Sequence, residues 1–479
     1  MPMESILANG SGLSGEAGQK PHPKPGVVVQ FPISDTPVNL TEDDVAEDFA
    51  LKYRNSMQFD HHIGRWYIWD DKRWSVNETE SAFDFARRLC REHRGDLKSM
   101  ASKKAAEGVE HMARRDQRLA VTSDIWDANQ LLLGTPGGTV DLKTGELQKS
   151  KPESFITKLT AVTPSAPGMP CLSFLKFLDE ATDGDKELQR FLQQWAGYCL
   201  TGLIREHALV FIHGPGGNGK SVLQNVISEI MGDYAKVAPM AIFAVSPYPR
   251  HLTELAMLKG ARVVTASETE STQKWSEARV NQLTGGDPIT ANFMRRDHFT
   301  YQPQFKLMMV GNHKPQLPNV NDAARRRFNI VPFLHKPKEP DQSLPEKLRS
   351  EYPAILRWAI EGCLDWLQNK LIKPDIVTKA TSDYFDEQDL LGRWIDEECE
   401  CGPGKMDSAN NLYVSWESFA NANGEAPGTA TTFGTRLPER GFLKKKSGKT
   451  FYIGIKVKEG PEDLSIKVKE CLEDLSDQI

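Results

Sequence analysis

The run Ala208-Leu-Val-Phe-Ile-His213 is apolar and short enough to be a buried strand, and Gly214-Pro-Gly-Gly-Asn-Gly-Lys-Ser221 follows it at once. In a turn this rich in glycine no side chains stand between the backbone N–H groups and an approaching anion, so those groups can all point inward. The next segment, Val222-Leu-Gln-Asn-Val-Ile-Ser-Glu-Ile-Met231, places apolar residues at helical spacing, and the amino terminus of a helix adds partial positive charge at the same spot. Strand, glycine turn and helix in this order have the spacing of a phosphate-binding P-loop. Gly214, Pro215, Gly216, Gly217, Asn218, Gly219, Lys220 and Ser221 are therefore expected to cradle ATP. Lys220 would reach the β/γ-phosphates and the Ser221 hydroxyl would ligate Mg²⁺. The alternative, a glycine loop that binds nothing, is disfavoured because all three parts are present in order.

An ATP-binding loop needs an acidic partner. Leu258 to Ser267 gives a short apolar strand that runs into Glu268-Thr-Glu270. A carboxylate at such a strand end can hold the Mg²⁺ shell or orient the attacking water, with Glu268 the first choice and Glu270 the second. A third strand, Gln304-Phe-Lys-Leu-Met-Met-Val310, ends in Gly311-Asn312, where an amide can reach the γ-phosphate side, although Asn is also a common turn residue. Beyond it, Asp322-Ala-Ala-Arg325-Arg326-Arg327 precedes the apolar strand Phe328 to Phe333. These arginines can supply charge to a phosphoryl-transfer transition state, often across a subunit boundary, or form a solvated basic turn.

The remaining chain bounds the setting. Its 479 residues suffice for roughly three domains. No stretch approaches a membrane span and no signal peptide opens the chain, so a soluble, cytoplasmic protein is expected. Seven scattered cysteines argue for a reducing compartment, and the close pair Cys399 and Cys401 lacks the second pair a zinc site needs. The net charge of −6 does not exclude nucleic acid, because binding follows local basic patches. Asp60-His61-His62 has metal-ligand residue types without a partner cluster and reads as a turn. Arg87, Arg88, Arg91, Arg94, Lys103, Lys104, Arg114, Arg115 and Arg118 give the amino-terminal region a basic character, either a DNA guide or a solvated helical face.

The order of the motifs resembles the superfamily 3 helicases, within them the phage and plasmid primase-helicase branch related to poxvirus NTPases. The resemblance rests on Gly214 to Ser221, Ala266-Ser-Glu-Thr-Glu270, Leu283-Thr-Gly-Gly-Asp-Pro-Ile-Thr290, Phe305 to Asn312 and Asp322 to Phe333. It extends to Trp66–Trp74 and the Gly138–Gly145 hairpin, which look like the domain preceding the ATPase, and to Leu412–Ile455, which looks like a winged helix. The fold implied is α/β: a P-loop, AAA+-like superfamily 3 core with an amino-terminal α+β helicase-associated domain and a carboxy-terminal winged helix. The expected division is a leader over 1–40, a domain over 41–165, the ATPase over 170–340, a helical linker over 341–379, the winged helix over 380–458 and a duplicated acidic tail over 459–479.

The resemblance implies catalytic roles for Lys220 and Glu268, with Ser221 and Glu268 on Mg²⁺, Asn312 as sensor, and Arg326 or Arg327 as a finger acting on a neighbour's nucleotide. It implies a homo-oligomeric ring, expected to be hexameric, that moves 3′ to 5′ on single-stranded DNA and opens forked DNA. Between the acidic and sensor motifs it places a DNA-contacting hairpin, here Thr290 to His298, in which Arg295 and Arg296 would grip phosphates and Phe293 would stack on a base. In the carboxy-terminal module the basic segment Gly441 to Lys449, with Lys444 and Lys445, would touch phosphates as a wing, or form a plain hairpin tip. Pro438 falls where the recognition helix should run and would break a helix interior, so it must lie at a boundary. Only about 40 residues precede the first domain, leaving no room for a paired-carboxylate polymerase site, so primer synthesis is not expected and a separate primase is the natural partner. The competing readings are a DNA-packaging or remodelling ATPase and an ATP-regulated replication-initiation protein.

Overall fold

The computed structural model describes residues 40–95, 98–246, 252–267, 274–294, 297–317, 322–337 and 339–458. Glu268, Glu270, Arg295, Arg296 and the tail duplication lie outside these residues.

The amino-terminal unit begins at a capping box. The Thr41 hydroxyl accepts the Asp44 N–H, and the Asp44 carboxylate accepts the Thr41 N–H at 2.8 Å, which starts α1 (Glu42–Tyr53). There follow β1 (Met57–Asp60), β2 (Arg65–Trp69), β3 (Trp74–Val76), α2 (Ser81–His93), α3 (Lys103–Ala113) and β4 (Ala120–Val121). The strands order β3-β2-β1-β4, with β4 parallel to β1 and the other pairs antiparallel. Val45, Phe49, Phe59, Trp66, Leu89 and Val109 fill the space between sheet and helices.

A second antiparallel sheet, β5 (Leu132–Thr135), β6 (Gly138–Asp141) and β7 (Glu146–Gln148), contains the hairpin read at Gly138–Gly145. Its Leu133, Val140 and Leu142 do not join the amino-terminal core. They pack instead with the helices and sheet of the central unit.

That central unit comprises α4 (Leu172–Ala181), α5 (Lys186–Leu200), β8 (Leu209–His213), α6 (Lys220–Met231), β9 (Ala235–Val237), α7 (Thr253–Ala256), β10 (Val263–Ser267), α8 (Glu277–Gly285), β11 (Ile289–Asn292), β12 (His298–Tyr301), β13 (Lys306–Gly311), α9 (Asp322–Arg327), β14 (Phe328–Pro332) and α10 (Leu344–Asn369). The central sheet is parallel throughout, in the order β14-β8-β13-β10-β9. Alternate residues serve opposite faces: Val210, Ile212, Met308 and Val310 pack against α4, α5, α6 and α10, while Leu209, Phe211, Leu307 and Met309 face the other core. Burial on both faces explains why these strands read as continuous apolar runs. The chain runs from β8 out to the β9 edge, returns through β10 and β13, then crosses β8 to lay down β14. The turn after β8 therefore leaves the sheet at a topological switch point, where ligands of open α/β sheets bind outside the carboxyl ends of the strands.

Helix α11 (Asp375–Gln388) packs Val377, Tyr384 and Phe385 into the central cores, and the carboxy-terminal unit after it contains α12 (Leu390–Glu398), β15 (Cys399–Ser408), α13 (Ala409–Ala422), α14 (Ala430–Glu439), β16 (Leu443–Ser447) and β17 (Lys449–Val457). Its antiparallel sheet orders β15-β17-β16 over a core of Trp394, Leu412, Trp416, Phe433 and Leu437. Pro438 lies in the last turn of α14. A proline there removes the N–H that would bond the carbonyl of Gly434. That carbonyl accepts the Tyr452 hydroxyl instead, at 2.7 Å.

No helix among the described residues is long and apolar enough to cross a membrane. Every described cysteine is a free thiol.

Candidate active site

The glycine loop between β8 and α6 is built by close backbone approach. Gly219 takes φ +84° as the residue before α6, and Gly217 takes φ +82°, both in the left-handed region that glycine adopts without cost. A Cβ on Gly214 would stand 1.9 Å from the Phe333 carbonyl oxygen, and one on Gly219 would stand 2.5 Å from the Phe177 ring, whereas Gly216 and Gly217 face open space. The loop is laced to the strand beside it: Asn218 Nδ2 donates to the Phe333 carbonyl, and the Phe333 N–H donates to the His213 carbonyl at 2.7 Å.

Lys220, only 6% exposed, opens α6, and its ammonium donates to the Gly214 carbonyl at 2.7 Å and to Asn218 Oδ1 at 2.9 Å. Burial, and then the nearby Lys336, hold this ammonium below the usual lysine range. Ser221 is exposed in the first turn of the same helix. Beside the loop is a cavity of about 510 Å³ whose walls include Phe177, Ala181, Val222, Pro337, Pro340 and Leu344. A triphosphate with Mg²⁺ suits these residues: the open side of Gly216 and Gly217, the start of α6, a buried cation and a free hydroxyl converge at one point.

The neighbouring strands end beside this loop. Gly311 lies in register with His213, which puts Asn312, exposed and one residue past β13, next to the entrance of the loop. The His213 ring is bonded to the Asn312 backbone. Burial, then the cations of Lys314 and Lys220, lower its pKa. On the other side of β13, β10 ends at Ser267, immediately before Glu268 in sequence.

The three arginines of α9 are not equivalent. Arg325 is committed to Asp386 at 3.2 Å and lies over the Phe385 ring at 5.1 Å. Among the described residues, exposed Arg326 bonds only back to its own helix at the Asp322 carbonyl, while Arg327 bonds the Ala323 carbonyl. Between the acidic and sensor segments, β11 and β12 form an antiparallel hairpin. Phe293 near its tip stacks on Phe299 with ring centroids 5.4 Å apart, and Met294 beside it is 77% exposed.

A family model described as "D5 N terminal like" matches residues 46–183, and one described as a family of unknown function (DUF5906) matches residues 212–327. "Putative helicase L207/L206" of Acanthamoeba polyphaga mimivirus is 25% identical over 331 residues, covering 63% of this chain and 34% of that protein. "Putative helicase 022R" of Frog virus 3 (isolate Goorha) is 24% identical over 311 residues, covering 60% and 30%. These matches support a D5-like superfamily 3 helicase family for the chain. The chain spans about a third of the length of these two relatives. The NrS-1 C-terminal region, a solved structure, aligns over 86% of this chain and 99% of its own, at 11% identity and a TM-score of 0.48.

The other sequence candidates resolve unevenly. Lys444 and Lys445 sit exposed on β16, opposite Tyr452 and Phe451 of β17. Asp60 is buried and accepts the His62 N–H, the Ser123 hydroxyl and the Trp126 indole N–H, so Asp60-His61-His62 is a turn. Among the described residues no group of three or more His, Cys, Asp or Glu could hold a metal. Part of the basic amino-terminal surface is neutralised by ion pairs, Arg88 with Asp84, Arg114 with Glu110, Arg118 with Asp116 and Lys103 with Glu107. Sequence reasoning missed Gln224, buried in α6 one turn after Lys220. Its only signal was a polar residue inside an apolar helical pattern.

Proposed function

We propose that this chain is an ATP-driven replicative DNA helicase motor of phage or related viral type, working in the host cytoplasm. Its core is a P-loop ATPase of AAA+-like superfamily 3 build, carrying an amino-terminal helicase-associated domain and a carboxy-terminal winged helix. The division of the chain at 41–165, 170–340, 341–379 and 380–458 belongs to this reading, with the β5–β7 sheet as the seam between the first two parts. The observation that supports it most is the buried Lys220, held at the switch point of a parallel sheet with Ser221 exposed beside it. No structural role explains an ammonium at the open end of a glycine turn as well as phosphate binding does.

In this reading the N–H groups of Gly216–Gly219 and the Lys220 ammonium bind and neutralise the phosphates. Ser221 and Glu268 hold Mg²⁺, and the cavity beside Phe177 takes the base. Bound MgATP supplies the phosphoanhydride whose hydrolysis drives the cycle. Asn312, at the end of β13, orients the γ-phosphate side, and Arg326, the freest of the α9 arginines, gives positive charge to a neighbour's site in a hexameric ring. The β11–β12 hairpin, with Phe293, Arg295 and Arg296, moves single-stranded DNA 3′ to 5′, and Lys444 and Lys445 touch duplex phosphates.

The test is strand displacement on a forked DNA with a 3′ tail, comparing wild type with Lys220→Ala. ATP-dependent unwinding by wild type alone is expected. DNA-stimulated hydrolysis without unwinding by any tested polarity points instead to a packaging or remodelling ATPase. Tight binding of a duplex site with no turnover points to an initiation protein.

A further inference from the structure

Gln224 is 4% exposed, and its side-chain amide is spent on three bonds that all lead to the catalytic edge of the sheet. Its Nε2 donates to the Ala266 carbonyl at 3.0 Å and to the Met308 carbonyl at 3.1 Å, and its Oε1 accepts the Ser267 hydroxyl at 3.0 Å. One amide thus spans the adjacent strands β10 and β13, whose residues Ala266 and Met309 are in register. A side chain that only filled space here would be apolar, since burying an amide is favourable only when its hydrogen bonds are made.

The residues so joined are those on which turnover depends. Gln224 follows Lys220 by four positions in α6, so the two side chains share a helix face and move as one body with Ser221. Ser267 immediately precedes Glu268, and Met308 lies on the strand that ends at Asn312. We infer that Gln224 is a positioning residue of the ATPase site: it sets the distance from Lys220 and Ser221 on α6 to the ends of the acidic strand β10 and the sensor strand β13. This role rests on the ATPase reading above. It leaves ATP binding to the glycine loop, which Gln224 does not touch, and acts on the step that needs loop, acid and sensor in one geometry.

The test compares wild type, Lys220→Ala, Gln224→Met, Ser267→Ala and Ser267→Thr by thermal unfolding, binding of a fluorescent ATP analogue, and kcat against KM. Methionine keeps the volume and packs adaptably, but makes none of the three bonds. The expected result is a folded Gln224→Met protein with unchanged nucleotide affinity and a kcat lower by on the order of 100-fold, the scale of a misplaced catalytic geometry. Ser267→Ala, which removes one bond at an exposed position, lowers kcat about fivefold, as one neutral hydrogen bond would, and Ser267→Thr restores it. A folded Gln224→Met protein with wild-type kcat overturns the inference, as does one that loses affinity in step with turnover. If Gln224→Met does not fold, wild-type kcat in Ser267→Ala overturns it. Wild-type protein no more active than Lys220→Ala overturns the ATPase reading itself, and this role with it.

Discussion

Two glycines of the same loop, Gly214 and Gly216, give opposite predictions when each is changed to alanine. At Gly214 the added methyl would lie 1.9 Å from the Phe333 oxygen and 2.2 Å from Asn218 Nδ2, so the backbone must move by more than an ångström. The Phe333 backbone is itself tied to His213, and the shift separates Asn218 from Phe333 inside the core. Overpacking and one orphaned buried bond together cost about 4 kcal/mol. For a unit the size of the central one this lowers the melting temperature by about 10 °C. At Gly216 nothing lies within 4 Å and φ is outside the left-handed region, so alanine fits the native backbone. It stabilises by about 0.5 kcal/mol through the unfolded chain, while its methyl stands on the open side of the loop. Thermal unfolding and titration with a fluorescent ATP analogue separate the two. Gly216→Ala is expected to melt at or slightly above wild type and bind ATP poorly, and Gly214→Ala to lose both. A Gly214→Ala protein that melts with wild type, or a Gly216→Ala protein that binds ATP like wild type, refutes the assignment of one glycine to the fold and the other to the ligand.

Lys306 predicts a pH dependence. Burial depresses its pKa from 10.5 to about 7, so between those values the unfolded chain binds more protons, and stability rises with pH from about 7 toward 10. Urea unfolding at pH 7 and pH 9 should show this rise, of a few kcal/mol at most, in wild type and a flatter profile in Lys306→Met. Arg326→Ala should leave the melting temperature unchanged and cut turnover by about 1,000-fold, and mixing it with Lys220→Ala chains should recover part of the activity if the finger acts between subunits. Arg325→Ala, which loses Asp386 and Phe385, should instead show a stability loss of about 1 kcal/mol. Tyr452→Phe should cost about 1–2 kcal/mol in the carboxy-terminal unit by orphaning the Gly434 carbonyl, and much less in a Pro438→Ala background, where the helix regains its own donor. Equal costs in both backgrounds, measured by chemical denaturation, exclude the exchange of donors.

What could be read from sequence was local. The strand, glycine turn and helix around Gly214–Ser221 announce themselves within a couple of dozen residues, because the apolar run, the lack of side chains and the helical period are each short-range signals. The helix over 344–369 follows from the same periodicity, whereas the hairpin expected at Thr290–His298 came only from the resemblance. The affiliation of the β5–β7 sheet with the central core was hidden, since Leu133, Val140 and Leu142 look alike whichever core they enter. The commitment of Arg325 was hidden too, because Asp386 lies 61 positions away. Pro438 read as an obstacle because its remedy, the Tyr452 hydroxyl, comes from the next strand but one. In each case the deciding partner is distant in sequence, and composition at the site itself cannot name it.

The long-range bonds to the nucleotide edge concentrate on one element, α11. Asp386 of α11 holds Arg325 of the arginine helix, Glu387 pairs with Lys314 at 2.9 Å just after Asn312, and the Gln388 side chain accepts the Leu317 N–H at 3.1 Å. Tyr384 of the same helix donates to the Pro315 carbonyl at 2.7 Å, and Thr381 accepts the Ile330 N–H from β14 at 3.0 Å. One residue past α11, Asp389 accepts the first-turn N–H of Gly392 at 3.0 Å and pairs with Arg440 at the far end of α14. The segment after the candidate sensor, the helix of the candidate finger and the first helix of the carboxy-terminal unit are therefore bonded to one continuous stretch of chain. The solvent-exposed pairs among these are individually weak and salt-sensitive. The ring contacts of Phe328 with Tyr384 and Phe385, at 6.1 and 5.7 Å, are buried and do not depend on salt. The carboxy-terminal unit cannot swing on α11 without straining the residues around Asn312 and Arg325, and the pair of Lys274 with Glu425 at 3.1 Å ties it to the central unit a second time.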